Sequence, residues 1–545
     1  MAHKKMINEH HIKIAGITVF FASLFILLAV RLFLLQVYRK DFFTNLAKHQ
    51  YTTTITIAPP RAPIYDRTGN FPLAYNQEVL SAFLLPQHIT QPKKLYRFLK
   101  KHYNDAYKKL KKKKNKHFMW LDRKLPADKA SFLQNQQLDD IQFTQEAQRT
   151  YSCHDCGHVI GFSDIDNKGI AGLELFFDKQ LAGAPQQITL EKDARRAGNY
   201  FNKTIHNPGI SGAPIVTSID RTLQFFATQE LEKAVTFHQA KAGSAIIMDP
   251  ITGEILAMAN YPTFNPNERP SANLETTKNN AITDCFELGS VVKMFCTLAA
   301  YEENVVAYDE IIDCKGKSAY IDGFKIENWK SVGELPFYDV IKNSSNVGVA
   351  IIAKRLGKKF YDHLRRLGFG SKTGIEFPGE RKGFVNPPEK WSKSSLLVMS
   401  FGYEITASIL QLARAIGIIA NGGYAFQPTL LAQHSTRQGE QLYSSQAITT
   451  TKKTLEHIGN KYPIPGFRVM AKTGTARCVK DGKYSKKAHV YTFGGIIEKE
   501  NYKRVIVTFV QEPSQANLWA AGVAGPIFHN LAQRMVIYET TNTHY

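Results

Sequence analysis

The segment Phe286-Glu-Leu-Gly-Ser290-Val-Val-Lys293-Met-Phe-Cys-Thr-Leu298 decides how the 545-residue chain is read. Apolar residues at 291, 292, 295, 298 and 299 fit one helical face, which places Ser290 at the helix start. Residues three apart share a face, so the Lys293 amine can sit beside the Ser290 hydroxyl, while the N-terminal amides and the helix dipole favour developing negative charge. The pair is a candidate nucleophile and base. A chain this long carries about two Ser-x-x-Lys by chance, so alone the pair reads equally as a surface helix cap.

Two other segments sharpen it. Lys342-Asn-Ser344-Ser345-Asn346-Val-Gly-Val lies where a helical run from Phe337 to Ile341 meets another from Val347 to Leu356, ended by Gly357. A hydroxyl at 344 can relay a proton and an amide at 346 can donate to a carbonyl, although Ser and Asn are also the commonest caps. Lys472-Thr-Gly474-Thr475 follows the strand-like run Phe467-Arg-Val-Met-Ala471. On an edge strand Gly474 would admit a substrate backbone, and Lys472, Thr473 and Thr475 would offer charge and hydroxyls to a carboxylate. The amides of Thr475 and Ser290 would form an oxyanion hole. A second copy, Lys372-Thr-Gly374, runs into Ile375-Glu-Phe-Pro378-Gly, a proline-broken loop, and is rejected as the working one.

Around these, Ser244-Ala-Ile-Ile-Met248 and Glu254-Ile-Leu-Ala-Met258, joined by Asp249-Pro-Ile-Thr-Gly253, read as a central hairpin. His489 to Ile497 and Arg504 to Val510 add two more strands. Strands at both ends with helices between predict an α+β domain with a sheet assembled from distant parts of the chain. Turn residues Pro208-Gly209 and Gly212-Ala-Pro214 put a domain boundary near 205 to 225. Upstream, Tyr51-Thr-Thr-Thr-Ile-Thr-Ile57 reads as a linker or pedestal strand. Seven lysines among the nine residues from Lys108 to Lys116 form a self-repelling block, read as a solvated loop or helix face open to anionic headgroups or wall polymers.

At the N-terminus, Ile14 to Val30 has no charge and the apolar run resumes at Leu32-Phe33-Leu34-Leu35, together long enough to cross a bilayer. Lys4, Lys5 and Lys13 precede it, so the positive-inside rule keeps the tail in the cytoplasm and sends the rest outward. Without a small-x-small cleavage site, the segment is expected to be an uncleaved signal anchor. The net charge of +22 would suit nucleic acid or a membrane, and export excludes nucleic acid. The six cysteines are too few for a disulfide-stapled scaffold. Cys153-His154-Asp155-Cys156 with His158 is read as a local disulfide or plain thiols ahead of zinc, because no second pair completes a tetrahedral site. Cys285, Cys296, Cys314 and Cys478 are read as small hydrophobes.

Ser-x-x-Lys, Ser-x-Asn and Lys-Thr-Gly in this order resemble the active-site set of penicillin-recognising serine acyltransferases. The chain is similar to the class B penicillin-binding proteins over nearly its whole length, and within them to the septal branch. Arg31-Leu-Phe-Leu-Leu-Gln-Val37 resembles the family's anchor end, and Pro60-Arg-Ala-Pro-Ile-Tyr-Asp66-Arg67-Thr-Gly69 its first pedestal motif. Arg149, His158-Val-Ile-Gly161-Phe and Gly169-Ile-Ala-Gly-Leu-Glu174 resemble later ones, and the 243–260 segment resembles the opening hairpin of the catalytic domain. Four departures stand out: Ala62 for Gly, Leu288 for Pro, Met294 for Pro, and Glu404 for the Gly of Gly-Tyr-Gly. None removes a catalytic group.

The resemblance implies an anchored protein with a cytoplasmic tail at 1–13, a membrane span at 14–36, an elongated β-rich pedestal at 37–215 and a transpeptidase domain at 216–540, its helices around an antiparallel sheet. It implies a D,D-transpeptidase acting on peptidoglycan stem peptides that end in D-Ala-D-Ala, acylated by β-lactams and needing neither metal nor organic cofactor. Ser290 would be the nucleophile, Lys293 its base, Ser344 the proton relay to leaving D-Ala, and Asn346 the holder of the donor peptide. Lys472, Thr473 and Thr475 would bind the terminal carboxylate, and Gly474 would be the substrate-binding position where the peptide backbone approaches. A membrane glycosyltransferase and other division proteins are the implied partners. The rival readings are an elongation-type transpeptidase, a D,D-carboxypeptidase or β-lactamase-like hydrolase, and a non-catalytic divisome scaffold or penicillin sensor.

Overall fold

The computed structural model describes residues 2–112, 118–192, 200–268, 274–433, 439–480, 482–515 and 518–542. It divides into two units, 1–59 with 183–211 and 60–182 with 212–545. In the first, helix Ala2–Phe33 continues through a π-helical turn, Leu34–Tyr38. The stretch His11–Tyr38, in which 18 consecutive residues reach a mean hydropathy of 2.5, is long and apolar enough to cross a membrane. The run Thr52–Ile57 is a strand as its β-branched alternation predicts, pairing with Gln186–Lys192, which pairs in turn with Tyr200–Asn207.

The second unit opens with the pedestal sheet, in which Pro72–Leu84 pairs antiparallel with Ile141–Tyr151 and Met119–Asp122. Three of the four pedestal segments meet in one buried ion network. Arg61 reaches Glu174 at 2.6 Å and Asp178 at 2.7 Å, and Arg149 holds the other Glu174 oxygen at 2.7 Å. Gly161 fits only because it lacks a side chain: a Cβ there would lie 1.9 Å from the Ala171 carbonyl oxygen. Cys153 and Cys156 form a disulfide, and no three metal-ligating side chains cluster among the described residues. Lys108, Lys109, Lys111 and Lys112 end the helix Asn104–Lys112 as exposed residues around the buried Leu110, whereas 113–116 of the lysine block lie outside the described residues.

The catalytic-domain sheet is antiparallel with the order Ile255–Tyr261, Ala242–Met248, Tyr502–Gln511, Lys483–Lys499, Arg468–Lys480. The 242–261 hairpin therefore sits at one edge rather than in the centre. The strand Tyr502–Gln511, from the far end of the chain, docks on Ala242–Met248 and moves the hairpin outward. The strand bearing Lys472 is the opposite edge. Helices Arg221–Phe237, Ile409–Ala420 and Ala520–Asn542 cover the sheet, and helix Lys293–Glu302 packs against Ser445–Gly459, Asn346–Leu356 and Lys359–Arg366. A hairpin of strands Ile311–Ile321 and Phe324–Pro336, not evident from periodicity, stands beside helix Asn346–Leu356.

Candidate active site

Ser290 lies in a 3-10 turn, Gly289–Val292, and the α-helix proper begins at Lys293. The expected single apolar face is too modest a reading. Every residue from Lys293 to Tyr301 is buried, and Lys293 itself is fully enclosed. A helix wrapped on all sides by other elements carries its lysine into the core with it. Burial, with the neighbouring Lys472 charge second, holds the Lys293 amine well below the ordinary lysine range.

That amine turns across the cleft. It donates to the Ser344 carbonyl oxygen at 2.7 Å and to Asn346 Oδ1 at 2.7 Å, and lies 3.0 Å from Ser344 Oγ. Among the described residues no hydrogen bond joins the Ser290 hydroxyl to the amine, whose contacts run to Ser344 and Asn346. The two carbonyl oxygens can only accept, so they occupy two N–H bonds and leave the lone pair of a neutral amine for a hydroxyl hydrogen.

Ser345, not Ser344 or Asn346, caps helix Asn346–Leu356, its side chain accepting from Gly348 N at 3.0 Å. Ser344 and Asn346 are released from that duty. Buried Asn328, which the sequence reading missed, orders the junction by accepting from Ser345 Oγ at 2.9 Å and Val347 N at 3.1 Å. It sits on the unforeseen 324–336 strand, and no local pattern marks it. Ser344 holds φ +54°, a left-handed backbone that a non-glycine residue adopts only when its surroundings impose it.

Lys472 reaches the same hydroxyl from the opposite side, Nζ to Ser344 Oγ at 3.2 Å, and also donates to the Thr473 carbonyl oxygen at 3.1 Å. Burial, and then the Lys461 charge, bring its amine down to about 7. Along this strand Lys472 and Gly474 face the interior, whereas Thr473 and Thr475 lie half-buried on the other face. The space above Gly474 is not left for substrate. A Cβ there would lie 2.6 Å from the Leu288 carbonyl oxygen and 3.2 Å from Val291 N, so the glycine admits the chain's own Ser290 turn. Gly289, at φ +59°, abuts the Thr475 backbone in the same way. The rejected copy is a loop in which Thr373 N and Oγ bind Glu380 Oε1 at 2.6 Å.

Two buried amines, Lys293 and Lys472, are thus bridged by the Ser344 hydroxyl beside Asn346, and the turn that carries Ser290 packs against the strand at Gly474 and Thr475. This is the constellation of a penicillin-recognising serine acyltransferase. Residues 243–533 match the penicillin-binding protein transpeptidase domain, and 56–217 the penicillin-binding protein dimerisation domain. The probable peptidoglycan D,D-transpeptidase PenA of Neisseria meningitidis is 30% identical, covering 95% of this chain and 91% of that protein. The peptidoglycan D,D-transpeptidase FtsI of Escherichia coli is 31% identical over 75% of this chain and 71% of its own. Penicillin-binding protein 3 of Mycobacterium tuberculosis has the same fold, with TM-score 0.69 and 23% identity, covering 89% of this chain and 97% of that one. The chain belongs to the class B penicillin-binding proteins, the family that includes FtsI.

Proposed function

We propose that the chain cross-links peptidoglycan as a septal serine D,D-transpeptidase, with Ser290 as nucleophile. The observation that carries the reading is the enclosed Lys293 amine, bound by Ser344 and Asn346 and held by burial well below the ordinary lysine range, the direction a base requires. Ser290 Oγ attacks the penultimate D-Ala carbonyl and gives its proton to Lys293. The C–N bond to the terminal D-Ala then breaks, with the leaving nitrogen protonated through Ser344, which touches both lysines. The amides of Ser290 and Thr475 receive the oxyanion. Asn346 holds the donor peptide, while Lys472, Thr473 and Thr475 take its terminal carboxylate and Gly474 keeps the strand against the Ser290 turn. An amine from a second stem peptide attacks the ester, forms the cross-link and returns the proton to regenerate Ser290.

The chain is anchored by its N-terminal helix, with residues 1–13 in the cytoplasm and the 37–215 pedestal and 216–540 catalytic domain outside. Lys4, Lys5 and Lys13 support that orientation. A membrane glycosyltransferase and other division proteins are its partners, a reading supported by the likeness to FtsI. Fluorescent penicillin should label the protein covalently, and Ser290→Ala should remove the label. Labelling that survives the substitution would refute the assignment, and release of the label within seconds would mark a hydrolase instead.

A further inference from the structure

We propose that Glu287 is a positioning residue whose carboxylate latches the Ser290 turn to the hairpin closing the Lys472 strand and to the turn at Tyr403–Glu404. The inference rests on the transpeptidase reading above. Glu287 stands three residues before Ser290, and its Oε1 accepts from Tyr484 OH at 2.8 Å and from Glu404 N at 3.1 Å. Tyr484 pairs with Val479 at the far end of the strand that carries Lys472 and Thr475. One carboxylate oxygen therefore joins three segments that are distant in sequence.

Both partners are held in turn. The Tyr403 ring stands edge-on to Tyr484 with centroids 5.5 Å apart. Glu404, left-handed at φ +57°, is fixed by Asn386, which donates Nδ2 to its carboxylate at 2.6 Å and N to its carbonyl oxygen at 3.1 Å. The adjoining Gly402 carbonyl oxygen accepts from Gly289 N at 3.2 Å. Packing does not do this work unaided. Behind the turn lies a cavity of about 430 Å³ lined by Phe286, Glu287, Arg477 and Phe509 among others, so the polar contacts carry the restraint that side-chain filling supplies elsewhere. Glu287 Oε2 is buried without a hydrogen-bond partner among the described residues, so Oε1 alone carries the contacts to Tyr484 and Glu404. The latch fixes the gap between the Ser290 and Thr475 amides, on which transition-state binding depends.

The test is acylation of the detergent-solubilised full chain by fluorescent penicillin across a concentration series, which separates the acylation constant from the binding constant. Tyr484→Phe, which removes only the hydroxyl, should slow acylation about tenfold with little change in binding or thermal midpoint. Glu287→Gln keeps the accepting oxygen and should stay within about threefold of the parent, whereas Glu287→Ala should be slow and should gain no further loss from Tyr484→Phe. Parent-like acylation of Tyr484→Phe, or a Gln variant as slow as the Ala variant, would overturn the latch. If Glu287→Ala does not fold, the Tyr484→Phe result decides. A parent protein that takes no label at all would instead remove the transpeptidase reading.

Discussion

Gly474→Ala should disable the site by moving one of its walls. The added methyl would lie 2.6 Å from the Leu288 carbonyl oxygen and 3.2 Å from both Val291 N and Val291 Cβ. Ordinary contact begins at 3.4 Å, so the closest pair is about 0.8 Å too near. The obstacles are mainly backbone atoms of the catalytic turn, which cannot rotate away as a flexible side chain would. The strand or the turn must therefore shift by most of that distance, opening the gap between the Thr475 and Ser290 amides. Overpacking of this kind costs about 1–3 kcal/mol of stability. Misplacement of reacting groups by about 1 Å costs about a hundredfold in rate. Acylation by fluorescent penicillin should fall by about two orders of magnitude, while a thermal-shift midpoint drops only a few degrees. A Gly474→Ala protein that acylates within threefold of the parent would refute the reasoning.

Two other perturbations test separate parts of the argument. Because burial brings the Lys472 amine down to about 7, an anionic penicillin should bind more weakly as pH rises from 6 to 9 and the ammonium discharges; pH-independent binding would exclude Lys472 as the carboxylate's partner. In the pedestal, Glu174→Ala leaves Arg61 and Arg149 buried without their shared counter-ion, and unfolding stability should drop by about 3–5 kcal/mol, read by calorimetry.

Much of the site was legible in the sequence because its chemistry is carried by short motifs whose residue types admit few other joint explanations. The strands around 244, 490 and 505 were legible too, from alternating or continuous apolar runs. Less legible was what the motifs face. Helical spacing brought Lys293 towards Ser290, but spacing within one helix says nothing about acceptors offered by another segment, and Ser344 and Asn346 claim the amine. Gly474 read as an opening because a glycine's empty side is defined by what packs there, here the Leu288–Val291 turn. The central position given to the 242–261 hairpin failed for the same reason. Strand order is set by which distant segment docks, and local periodicity does not encode it.

The bridging hydroxyl of Ser344 touches amines from residues 293 and 472, so groups separated by 51 and 128 positions in the chain must be brought together before chemistry can begin. Covalent capture of an antibiotic by Ser290 thereby reports completed long-range folding, and loss of labelling on heating or in urea should track the cooperative unfolding of the whole catalytic sheet.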